Sequence, residues 1–505
     1  MKWTIFFTFA ALVSLSLLAW FMIPKQDNKD RTPLKWVTDA NPQRDPQVDT
    51  FNKLNPDCNL SIDPDNTGVM KVVVQCSAGM GPDLIDGVNE QSIQIYVDAG
   101  ILMDVTEEAN RMGFGIDTLP ETVRPLVMEK VLTKDGKYID RQFCYPCNVY
   151  HTYILYNKNI FDKLKIPYPD EDLTWDEYIR LGKLITKYTD NPSVPDIFGA
   201  AGTSVPVIVW QKGGFYFNEW GTVCEVDSDI FVDAYEMYHK MIFEYDIEPS
   251  PLQKAGVSSQ GGWGGGYMNW FAEGKLGMYW GARWMLIQLR RFISDQTEKR
   301  NEWIKNNPDK DPSECPIEVV RIGTVQVPRF KDGPRYTQFG ARSTGINAKT
   351  HHPEKALKFL AYLAGPEYSA LINEGADSKP GNKNYISMEH FRHPDYPDEE
   401  EMHLMSIKAI PHGRTYRRSP FITTAGMLRE MNKISQKILS DKSMTRDDIA
   451  NSLKSAAKAI NTEIARNISR NKKSQQIYRA LLKSGAKPIR FQEMIKNVNL
   501  NEENK

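Results

Sequence analysis

The sequence predicts an α/β fold, and three observations support that class. Short apolar runs alternate with helix-length amphipathic segments between residues 34 and 100, the pattern of a doubly wound sheet. At 505 residues the chain is long enough for two or three domains with sizeable cores. Composition is that of a globular protein, 41% hydrophobic and 25% charged. A formal net charge of -1 gives no reason to expect nucleic acid as a partner.

Residues 3–23, WTIFFTFAALVSLSLLAWFMI, hold no charged side chain. A run of roughly 20 apolar residues spans a bilayer. It ends on the bulky Trp20-Phe21-Met22-Ile23-Pro24 rather than on a small-x-small cleavage site, so residues 1–24 are expected to be an uncleaved signal-anchor rather than a cleaved signal. The first cysteine after it is Cys58, which excludes a lipid-modified cysteine anchor. Lys25, Lys29 and Arg31, in a short linker over 25–33, run against the positive-inside bias, although large domains often translocate regardless.

Leu34–Thr38 reads as a strand, followed by the polar turn at Asp39, Asn41 and Pro42 and a helix through Phe51. Strands are expected at 59–63 and 82–86, with helices at 68–78 and 91–99, the last closed by Gly100. In open α/β sheets ligands sit beyond the carboxyl ends of strands, which singles out Asp39, Asn41, Asn89 and Glu90. Such residues also cap turns, and that is the competing structural role. Thr174 and Glu177 have the spacing of a capping box, stapled by Leu173 and Tyr178, so Trp175 is expected to be structural. Residues 231–245 place Ala234, Met237, Tyr238, Met241 and Tyr245 on one helical stripe, and Pro353 suits the first turn of a helix ending near Ala364.

Residues 258–284 gather four of the eleven tryptophans among many glycines. Glycine permits sharp turns and close approach, and tryptophan offers a flat apolar face with one N–H. That combination suits a pyranose ring, apolar on its C–H faces and polar at its rim. Trp210, Trp263, Trp280 and Trp284 are the stacking candidates, with Arg283 and Arg342 for hydroxyls. Phe271, Leu276 and Met278 are expected in the core.

The pattern Phe271-x-x-Gly274-Lys275-x-Gly277-Met278-x-x-Gly281-x-x-Trp284 resembles a signature of family 1 extracellular solute-binding proteins, the capture components of ABC importers. Further landmarks resemble the family in order: FNKLNPDCNLSI, AGMGPDLIDG, YVDAGILMDVTE, the run from Phe143 to Lys158, Leu173–Tyr178, Gln211 with Gly213-Gly214, residues 338–347 and the helix from Pro353. The resemblance covers about residues 34–468. It implies a two-lobed periplasmic-binding-protein-like α/β fold, to which the apolar run at 3–23 adds an N-terminal transmembrane helix. Lobe I would be 34–147 with 344–378, lobe II 148–343 with 379–468, and 469–505 a basic and polar extension without an assigned role. It further implies a monomer in the periplasm or at the cell surface, anchored in the inner membrane, capturing a sugar or oligosaccharide for a separate permease and ATPase, with no cofactor.

Catalytic signatures are missing. The sequence has no GxxxxGK[ST], G-x-S-x-G or HExxH, and no carboxylate pair stands out as a glycosidase would require. The six cysteines form an even count, and Cys58 with Cys76 is a sterically plausible disulfide. Cys144-Tyr-Pro-Cys147 lacks the helix start a redox motif needs. An anchored polysaccharide-active enzyme, or a sensing subunit of a signalling system, would be the alternatives to a binding protein.

Overall fold

The structure is a computed structural model that describes residues 31–39, 41–63, 68–188, 195–258 and 266–495. The expected membrane anchor at 3–23 and Trp263 lie outside these residues. Among the described residues, no helix is long and apolar enough to cross a membrane.

The first lobe is built on β1 (Thr32–Val37), β2 (Cys58–Asp63) and β3 (Leu84–Val88), with β1 parallel to both neighbours. Leu34, Trp36 and Val37 of β1 are buried while Lys35 points outward. Helices Arg44–Leu54 and Val69–Ser77 connect these strands. A hairpin of β4 (Met128–Leu132) and β5 (Tyr138–Gln142) stands beside them. The chain then runs through β6 (Cys144–His151) into β7 (Tyr153–Asn157), where the second lobe begins. There β8 (Phe198–Ala201), β9 (Leu276–Gly281) and β10 (Ile322–Val325) form a sheet in the order β10-β7-β9-β8.

β11 (Thr337–Ile346) carries the chain back, pairing antiparallel with β6 and β3. Lys379 bridges to Val149, and the two-residue β12 (Gly413–Arg414) pairs with the start of β11. The first core holds Trp36, Phe51, Tyr145 and Phe359. A second surrounds Trp175, Tyr178, Trp210 and Trp280, covered by helices Thr424–Ser440 and Arg446–Arg470. Helix Lys472–Lys483 follows, and Ile477, Tyr478, Ile489 and Ile495 join this second core. Lys473 reaches Asp98 of the first lobe at 2.8 Å.

All six cysteines are buried free thiols, so the expected Cys58–Cys76 disulfide is corrected. Burial pushes Cys76 up to about 11 and Cys147 up to about 12. A thiolate is the reactive form, so the CxxC is inert packing on a strand. Thr174 caps its helix by accepting from the Glu177 N–H, but the Glu177 carboxylate pairs with Arg180 at 2.7 Å instead of closing the capping box.

Candidate functional site

The crossing strands form the floor between the lobes, and their alternation decides which side chains face it. Gln338, Gly340 and Arg342 share one face of β11, and in register Asn148 lies opposite Arg342 and Tyr150 opposite Gly340. A Cβ at Gly340 would lie 2.5 Å from the Tyr150 hydroxyl, so the phenol rests on bare backbone. Arg342 pairs with Asp86 at the middle of β3 and donates to the Thr38 hydroxyl at 2.9 Å, with Asp39 at 3.8 Å. Its Nε and Nη2 are buried without a partner.

Asp39 is 34% exposed at its side chain and also accepts from Arg44 at 2.7 Å. Burial raises its carboxyl, but the Arg342 and Arg44 guanidinium charges together hold it below the usual value. Arg44 reaches across to Asp377 at 2.7 Å, and Asn148 donates to the same carboxylate at 2.9 Å. Asn41 is buried, its Oδ1 taking the Gln43 N–H and its Nδ2 unpartnered. Asn89 is committed locally, accepting from Gln91 N at 2.9 Å and Ser92 N at 3.3 Å.

Glu90 differs from these neighbours. It is 9% exposed, and its carboxyl accepts from its own backbone N–H. Burial raises its carboxyl, opposed by its own N–H and by Arg418. Its charge is felt by two phenols: burial first and Glu90 second push Tyr150 up to about 12, and the same two causes raise Tyr416. Tyr416 follows β12 and packs edge-on against Trp210 at 5.7 Å and Tyr216 at 5.1 Å. From the second lobe, Ser204 donates to the Gln338 side chain at 3.2 Å. The Glu90 charge and two neutral phenols thus act on one another at this floor.

Three expected stacking or hydroxyl-holding residues are placed elsewhere. Trp210 is 1% exposed inside the second core. Trp280 is 6% exposed, stacked on Trp175 at 5.9 Å and donating to the Tyr178 hydroxyl at 3.0 Å. Arg283 is 1% exposed and donates to the carbonyls of Ser378 and Asn373 at 2.6 and 2.8 Å and to His403 at 3.2 Å. Each is corrected to a structural role because its face or N–H groups are consumed inside the lobe. Trp284 is half-buried against the cluster containing Phe271 and Leu289, on the turn just after β9. Sequence reasoning missed Tyr150 and Tyr416. The polar alternation Asn148, Tyr150, Thr152 within an otherwise apolar crossing was the available signal for the first, and nothing marked the second.

Among the described residues no cluster of three or more His, Cys, Asp or Glu could hold a metal ion.

A family profile described as bacterial extracellular solute-binding protein matches residues 37–370. The chain belongs to that family. Solved structures of solute-binding proteins share the fold. The ABC substrate-binding protein Lmo0181 from Listeria monocytogenes, in complex with cycloalternan, is 19% identical with a TM-score of 0.64 over 85% of this chain and 99% of that one. The maltose/maltodextrin-binding domain MalE of Bdellovibrio bacteriovorus, bound to maltotriose, is 17% identical with a TM-score of 0.59 over 85% and 99%. UgpB of Mycobacterium tuberculosis, in complex with glycerophosphocholine, is 15% identical with a TM-score of 0.63 over 86% and 99%. Comparison with curated proteins by sequence gives no match. As a member of an extracellular solute-binding family, the chain belongs in the periplasm or at the cell surface.

Proposed function

We propose that this solute-binding protein captures a sugar or oligosaccharide between its two lobes and delivers it to the permease and ATPase of an ABC importer. The observation that carries the reading is the crossing floor itself, where Arg342 Nε and Nη2 and Asn41 Nδ2 are buried without a partner and the Glu90 charge acts on the Tyr150 and Tyr416 phenols. A buried donor costs free energy until an acceptor reaches it, and sugar hydroxyls accept as well as donate. Arg342, Asp39 and Asn41 extend the polar rim, Trp284 supplies a stacking face, and Trp263 remains a candidate from the glycine-rich stretch. Two similar structures hold cycloalternan and maltotriose, which agrees with a carbohydrate.

The lobe boundaries at 147/148, 343/344 and 378/379, and the anchor at 3–23 that would keep the protein at the outer face of the inner membrane, belong to the same proposal. Binding without turnover fits a floor on which Asp39 and Asp86 are tied to arginines, leaving Glu90 without a second free carboxylate.

A thermal-shift panel of mono- and oligosaccharides on the full chain tests the reading. At least one sugar should raise the midpoint, and Glu90→Ala, Tyr150→Ala and Trp284→Ala should each weaken that response about tenfold or more while the apo protein still folds. This corresponds to losing about 1.4 kcal/mol, the scale of one hydrogen bond or one stack. A panel without any shift would remove the carbohydrate assignment.

A further inference from the structure

A cavity of about 810 Å³ opens along the seam between the lobes, and none of the floor residues above lines it. Its walls come from three separate stretches. The β4–β5 hairpin of the first lobe supplies Glu129 and Tyr138, a loop of the second lobe supplies Trp220, and the last turn of the C-terminal helix supplies Leu481 and Ser484. Arg418 sits where these stretches meet.

The frame is fixed. Gly221 has φ +67°, and a Cβ there would come within 2.7 Å of the Arg418 carbonyl and the Ser419 Cα, so the loop backbone is seated on the 418–420 segment. Ser419 donates to the Gly221 carbonyl at 2.6 Å, and the Asn218 side chain accepts from the N–H groups of Thr222 and Val223 at 2.9 and 3.2 Å. The hairpin is docked to the same segment, because Arg418 donates to Glu129 at 2.5 Å and to the carbonyls of Met128 and Pro125 at 2.9 and 3.1 Å. Trp220 and Tyr138 are both half-buried, and no ring contact joins them among the described residues. An indole and a phenol from opposite lobes are thus held on one frame, facing a shared void of the size range small-molecule sites occupy. Burial, with the Glu129 charge second, keeps the Tyr138 hydroxyl protonated and able to donate. The rim mixes both charge signs, with Lys130 on Asp140 at 3.1 Å and Arg418 on Glu129. Such a rim favours neither an anion nor a cation.

We propose that this seam cavity is a second binding site, distinct from the crossing floor, for a neutral carbohydrate ring that uses Trp220 and Tyr138 as its two apolar faces. Flat apolar walls with a mixed polar rim match a ring whose faces are C–H and whose edge is hydroxyl. Because the walls belong to both lobes, an occupant favours the lobe arrangement in which they stand together.

The test labels the full chain with 5-fluorotryptophan and follows ¹⁹F resonances during titration with maltotriose, the Trp220 signal being assigned by Trp220→Phe. The Trp220 resonance should move saturably, keep moving in Glu90→Ala, and stay still in Tyr138→Ala. Immobility of the Trp220 signal throughout the titration overturns the site, and so does a response that survives Tyr138→Ala or disappears in Glu90→Ala. Movement of Trp220 with no response from Trp263 or Trp284, the stacking candidates of the proposed floor site, upholds the seam site and removes the carbohydrate reading of the floor, so the two fail separately.

Discussion

Glu248 shows how one buried carboxyl shapes the second lobe's edge at the floor. It accepts from the N–H groups of Gly202 and Thr203 at 3.1 and 3.2 Å and from the Thr203 hydroxyl, which sets the backbone just before Ser204. Burial nevertheless dominates those three donors and pushes it from 4.5 up to about 7. The folded protein therefore keeps this proton over a range in which the unfolded chain has lost it. Stability present below pH 4.5 falls as pH climbs toward 7, by on the order of 3–4 kcal/mol at about 1.4 kcal/mol per pH unit. Glu248→Gln should flatten that slope when urea midpoints are compared at about pH 5 and about pH 8. Arg283 is the complementary case, a guanidinium buried without a carboxylate in direct contact and resting on the Phe391 ring at 4.3 Å. Burial pulls it down to about 10, which still leaves it charged at neutral pH. Its two carbonyl partners, Asn373 and Ser378, bracket a turn in which Ala376 and Ser378 are non-glycine residues at φ 53° and 67°. Arg283→Ala strands those carbonyls, and we expect a loss of about 3 kcal/mol in urea unfolding. A residue between a glycine-rich stretch and a tryptophan looked like a ligand contact, and only its burial among carbonyls shows that it braces the crossing.

The helices illustrate which local rules survive packing. Thr445 opens the Arg446–Arg470 helix with a reciprocal capping box, its side chain accepting from Asp448 N while Asp448 accepts from Thr445 N. Thr445→Ala should cost about 1 kcal/mol, read as a lower denaturation midpoint with an unchanged m-value. Pro353 begins its helix and Gly365 ends it as the sequence suggests. Helix Asp229–Phe243 departs from expectation. Ala234 and Met241 are buried, but Phe231, Tyr235, His239 and Ile242 are buried too, while Met237 and Tyr238 are only partly so. The helix is covered on more than one side, by the helices from Thr424 and Arg446, so a single-stripe reading underestimates its buried face.

Across the whole molecule, the C-terminal residues become part of the second lobe. Ile477, Tyr478, Ile489 and Ile495 are buried in its core, and Arg490 pairs with Asp227 at 2.7 Å. Ending the chain at Arg470 would remove these side chains, each worth about 1.5–3 kcal/mol when fully buried, and uncover the core residues they pack against. Calorimetry should then show a clear drop in the thermal midpoint of the second lobe and a smaller change in the first. The same truncation removes one wall of the seam cavity and the Lys473–Asp98 pair between lobes.

Periodicity, caps and punctuation were enough to reveal the α/β class, because those signals are local and repeat along the chain, while the extended crossings and the order of the landmarks came from the family resemblance. The rule that ligands sit beyond strand ends marked Asp39, Asn41 and Glu90, and the structure places them in the loops after β1 and β3. Whether an aromatic ring or a guanidinium faces solvent or core is a different kind of question. Trp210, Trp280 and Arg283 went inward, while Tyr150 and Tyr416 came to the floor, because the neighbours that cover or expose them lie up to hundreds of residues away in the chain. Burial is a property of the assembled packing, and no stretch of sequence carries it alone.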